Sequence, residues 1–172
     1  MEIVEILKYT LPALIVFFTA YLLIRSFIRN DQKRRHQEII LQNQKTITPI
    51  RLQAYERVTL LLERISLESL IMRINKPGMT CQQLHQAMLS TIRAEFEHNH
   101  SQQIYITTKA WEVTKNARVQ ITKIINTSAD KVKPKHPALK LSTLILETMM
   151  EMDKAPTQVA IDFLKSEVNQ VF

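Results

Sequence analysis

TPIRLQAYERVTLLLERI, residues 48–65, is the stretch that decides the fold. Ala54, Tyr55, Val58, Leu61, Leu62 and Ile65 recur three and four residues apart, while Arg51, Gln53, Glu56, Arg57, Glu63 and Arg64 take the other side. That is the pattern of a helix with one face in a core. Thr48 is placed to cap it and Pro49 suits a first helical turn, so the spacing predicts a helix beginning at residue 49. The chain as a whole agrees: its 172 residues include one glycine, Gly78, with six prolines and 45% hydrophobic residues. Sheets need positive-φ turns that glycine usually supplies, so an all-α fold is expected.

Downstream, the same signals repeat. Ser66 can cap a short helix to about Ile74, and Asn75-Lys76-Pro77-Gly78 reads as a turn. Thr80 and Gln83 match a capping box, opening a helix to about His98 whose apolar line is Leu84, Met88, Ile92 and Phe96. After a loop, Ile104, Tyr105 and Ile106 are expected to dock before Thr107 caps a further helix. Ala110, Val113, Ala117, Ile121 and Ile124 line that helix, Trp111 and Ile125 widen its face, and it ends near Ser128. Residues 49–128 therefore read as a helical bundle, and residues 49–172 suffice for a modest core that folds without metals or disulfides. Lys131, Lys133, Lys135 and His136, interleaved with Pro134 and Pro137, read as a solvated basic linker, with a second lipid contact as the alternative. Helices over about 138–152 and 157–171 complete a C-terminal pair spanning residues 129–172, which the pattern leaves free either to pack on the bundle or to stand apart. The second shows Ile161, Leu164, Val168 and Val171 on one side. Met149, Met150 and Met152 read as core filler in preference to an adaptable binding surface.

Upstream, residues 7–28 (LKYTLPALIVFFTAYLLIRSFI) carry no charge between Lys8 and Arg25. At about 1.5 Å per residue the run reaches roughly 33 Å, which suits a transmembrane helix. A cleaved signal peptide would want a basic start and a small-residue exit; Glu2 and Glu5 stand at the start and Tyr21, Leu22, Leu23 and Ile24 at the exit. Arg25, Arg29, Lys33, Arg34 and Arg35 follow the run, against Lys8 before it, which predicts a bacterial inner-membrane protein with its N-terminus outside and its C-terminal domain cytoplasmic. One cysteine, Cys81, fits a reducing compartment. Residues 29–48 read as a basic juxtamembrane stalk, whose Ile39, Ile40, Leu41 and Ile47 are too few for a coiled-coil seam. The net charge is +7, and the densest part lies between Arg25 and Thr48, where six Lys or Arg face two acidic residues. This points to anionic headgroups, contacted through Arg25, Arg29, Lys33, Arg34 and Arg35, ahead of nucleic acid.

The run TPIRLQAYERVTLLLERI together with NKPGMT (75–80), EFEHN (95–99), SQQIYI (101–106) and Trp111 resembles a family of small uncharacterised single-pass membrane proteins of the Bacteroidota. The resemblance covers roughly residues 9–126 and implies neither an activity nor a site residue.

Two clusters could carry chemistry. Cys81 follows a helix cap, where the dipole favours a thiolate, and His85 lies one turn on; the pair lacks a glycine-rich turn or an oxyanion site. Glu95-x-x-His98 overlaps Glu97-x-x-His100, but di-iron bundles need such motifs on separate helices. Walker, dinucleotide, zinc-ribbon and serine-hydrolase patterns are absent from the sequence. No catalytic, cofactor or metal residue is therefore assigned. The expected function is a membrane-anchored cytoplasmic interaction or scaffold module binding a protein partner. Its alternatives are a tethered enzyme using Cys81 and His85, and a tethered nucleic-acid binder.

Overall fold

A computed structural model describes the backbone of residues 2–171 and the side chains of residues 14–170 other than His36 and Asn43. Among the described residues every regular element is helical: α1 (Glu2–Arg64), α2 (Leu67–Ile74), α3 (Cys81–Asn99), a 3-10 turn (His100–Ile104), α4 (Thr108–Asp130), α5 (Ala138–Met150) and α6 (Pro156–Val171). The chain divides into two compact units, Met1–Ile47 and Thr48–Phe172.

The first unit is helical and its described apolar side chains, among them Val16, Phe17, Phe18, Leu23 and Phe27, are exposed. Among the described residues no helix is long and apolar enough to cross a membrane. This corrects the expected transmembrane helix over 7–28 and the inner-membrane localisation and orientation drawn from it. Residues 7–13 of that run lie outside the described side chains. Within the described part, Leu14 to Ile28, the charged Arg25 interrupts the apolar side chains. Arg25, Arg29, Lys33, Arg34 and Arg35, for which a headgroup contact is expected, have exposed side chains, and Arg35 pairs with Asp31 one turn earlier at 2.8 Å.

The second unit holds the core. Ala54, Tyr55, Val58, Leu61, Leu62 and Ile65 are all buried, as their spacing predicts, although the helix bearing them does not begin at residue 49: α1 runs through Thr48 and Pro49. Pro49 is exposed, so the carbonyl left without its N–H partner can bond water. Ser66 caps α2 through Ser69 N–H, and Gly78 turns the chain at φ +84°. Thr80 and Gln83 complete both halves of the capping box at α3, and Thr107 caps α4 through Ala110 N–H at 3.1 Å. Of the three residues expected to dock between α3 and α4, only Ile106 is buried; Ile104 and Tyr105 are exposed.

The C-terminal helices belong to the same unit. Ala138, Leu141 and Ile145 of α5 and Ala160, Ile161 and Leu164 of α6 share one hydrophobic cluster with Leu61, Leu84, Met88, Ile121 and Ile125. Each large side chain so buried contributes about 1.5–3 kcal/mol. The expected division after residue 128 thus falls inside a packed unit, within α4. Nor is the segment 131–137 a loose linker. Its His136 and Pro134 carbonyls accept from Cys81 N–H (2.8 Å) and Gln82 N–H (3.1 Å), and Ala138 N–H returns a bond to Met79 O (2.9 Å). Its lysines and prolines are exposed while Val132 and His136 are half-buried, and backbone bonds fasten the segment to the start of α3.

Candidate functional site

The structure places Cys81 and His85 on the first two turns of α3 without joining them. The Cys81 thiol is buried and donates to Pro137 O at 3.2 Å. His85 Nε2 pairs with Asn126 Oδ1 on α4 at 2.8 Å. Each group is thus engaged by a partner brought in from another element, and no hydrogen bond links thiol to imidazole. The Glu-His pairs at the end of α3 are likewise dispersed. Glu95 holds Arg64 at 2.7 Å and Arg73 at 3.7 Å, while the His100 ring packs on Trp111 at 5.9 Å between centroids. Among the described residues no group of three or more His, Cys, Asp or Glu is arranged to hold a metal ion.

One polar cluster escapes sequence reasoning altogether. Glu167 on α6 accepts from Tyr55 Oη at 2.9 Å and from Thr107 Oγ1 at 2.7 Å. Burial, then the neighbouring carboxylate, pushes the Tyr55 phenol above its ordinary pKa. Thr107 uses its hydroxyl twice, accepting at the α4 cap and donating to Glu167, so the cluster fastens α6 to the bundle. No spacing in the sequence could reveal a contact between residues 112 apart.

Within the second unit, a surface that folding does not explain lies on α5. A helix that is apolar on all sides is normally buried. Here Ala138, Leu141, Ser142 and Ile145 face the core, yet Leu139 is 68% exposed, Leu146 38% and Met150 85%. With exposed Thr143 they fall four, three and four residues apart on one line. Met149 does pack against the core as its composition suggested, but Met150 and Met152 do not. Beside the line runs an open groove of about 580 Å³, whose lining includes Val132, Pro137, Leu139 and Leu144 together with Lys131, Lys140 and Glu147.

The charges of α5 run against its own dipole. Lys140 stands in the first turn and Glu147 in the last, with Glu151 following, while the first turn has no acidic residue and the last no basic one. Charges so placed oppose the helix dipole by about 0.3–1 kcal/mol each. A folding-only account leaves both the bare apolar line and the reversed charges without a benefit.

Fold and surface together define an all-helical protein, among the described residues, with exposed apolar side chains on the outer face of α5. The chain belongs to a family of unknown function, DUF7935, whose model matches residues 1–171. The match extends through residues 129–171, beyond the resemblance carried by residues 9–126, in keeping with the C-terminal helices being part of the core. No curated protein and no solved structure matches the chain.

Proposed function

We propose that the chain is a helical interaction module that binds a protein partner through the outer face of α5. The observation that carries this reading is the line Leu139, Thr143, Leu146 and Met150, exposed on a helix whose opposite face already fills the core. Such a line over three turns is what a helix-in-groove or helix-on-helix contact uses. The flanking Lys140 and Glu147 supply orientation, because charges beside an apolar seam select partner and direction.

The test is crosslinking in native extracts, comparing the wild-type chain with the double variant Leu139→Asp, Met150→Asp and with Leu60→Asp, an exposed position elsewhere. Both variants should keep wild-type helicity and melting. The α5 variant should lose its crosslinked species and the Leu60 variant should retain it. Retention of the same species by the α5 variant overturns the reading.

A further inference from the structure

The outer face of α5 is self-complementary, and we propose that its occupant is a second copy of this chain, docked with the two α5 helices antiparallel about a two-fold axis. The inference rests on the docking reading above and names its partner.

Leu139, Thr143, Leu146 and Met150 recur as the seam of a two-stranded helical packing does, alternating four and three apart. Lys140 and Glu147 are seven residues apart, so they occupy equivalent positions on one flank of that seam. In a two-fold antiparallel pair, that flank faces the same flank of the second copy. Lys140 then meets Glu147 of the second copy, and Glu147 meets its Lys140, so one contact is made twice. A parallel pair would set lysine level with lysine and glutamate level with glutamate.

The seam is symmetric in the same sense. Turning it end for end lays Met150 of the second copy at the level of Leu139, beside the groove lined by Val132 and Pro137, and lays Thr143 against Leu146. The most exposed apolar side chain of α5 thereby gains a cavity to enter. The reversed charges gain a role as well: the basic first turn of one α5 lies against the acidic last turn of the other, where each dipole end favours the charge it meets. A surface patch that complements itself under a two-fold rotation is the requirement for a closed dimer, the commonest oligomer.

The test uses the full chain and two charge reversals, Lys140→Glu and Glu147→Lys, both at exposed positions. Sedimentation of the wild type should show a monomer–dimer equilibrium that depends on concentration. Each single reversal places two like-charged pairs in the interface and should weaken association by about tenfold or more. An equimolar mixture of the two variants restores both pairs and should associate as tightly as the wild type. Self-association that ignores both reversals overturns the proposal, as does a mixture no tighter than its components. A wild type that stays monomeric at every concentration also overturns it. That last result leaves the docking reading to its own crosslinking test, which would then report a different protein on the same face.

Discussion

Tyr55 on α1 donates its phenolic proton to Glu167 on α6 over 2.9 Å, although 112 residues separate them. Thr107 completes the arrangement from the start of α4, so three elements meet at one carboxylate. Tyr55→Phe removes one of two hydroxyl donors to a charged acceptor and should cost about 1.5 kcal/mol, or about 5 °C in Tm. The Tyr55 pKa is raised above 10.0, so its contribution is fully present below about pH 10. As pH rises further the unfolded chain releases the proton first, and that stability is lost through the raised native value. Urea melts should therefore give a constant gap between wild type and Tyr55→Phe from neutral pH to about pH 10, narrowing above it. A gap that widens with alkalinity would contradict this assignment.

Removing residues 129–172 should abolish the cooperative melt of what remains. Truncating one core leucine to alanine typically costs about 2–5 kcal/mol. This deletion strips Leu141, Ile145, Ile161 and Leu164 from the core at once, against a typical domain stability of about 5–15 kcal/mol. Circular dichroism of the shortened chain should show partial helicity with a broad transition. A sharp wild-type-like melt would restore the boundary at residue 128.

Cys81 should behave as a packed thiol. It is buried and bonded to Pro137 O, so a disulfide reagent should label it only as fast as the protein opens, and rapidly once urea unfolds the chain. Rapid labelling of the native protein would instead reopen the pairing with His85.

These contacts also mark where the sequence could be read and where it could not. The core face from Ala54 to Ile65 and the capping box at Thr80 depend on residues within a few turns of one another, and both were legible from spacing alone. The bonds from Cys81 and Gln82 to the carbonyls of His136 and Pro134 are made by backbone, which carries no residue signature, so the segment looked like a linker. Pro49 suggested a helix start because local geometry favours one; an exposed carbonyl made continuation tolerable. The apolar run to Ile28 suggested a span by composition, whereas the described helix does not sustain the length and apolarity required. On α5 the methionines suggested core because Met is common there. Exposure of Met150 depends on which side of the helix the bundle covers, a property of the whole fold.

Methionine oxidation in native extracts tests the central claim, that the outer face of α5 is covered in the working protein. Met72 on α2 and Met150 on α5 are 84% and 85% exposed in the single chain, so they should oxidise alike unless something covers one of them. Mass spectrometry of briefly oxidised extract should find Met150 oxidised more slowly than Met72, with the difference lost in the Leu139→Asp variant. Equal rates for Met150 and Met72 in the wild type would contradict the account.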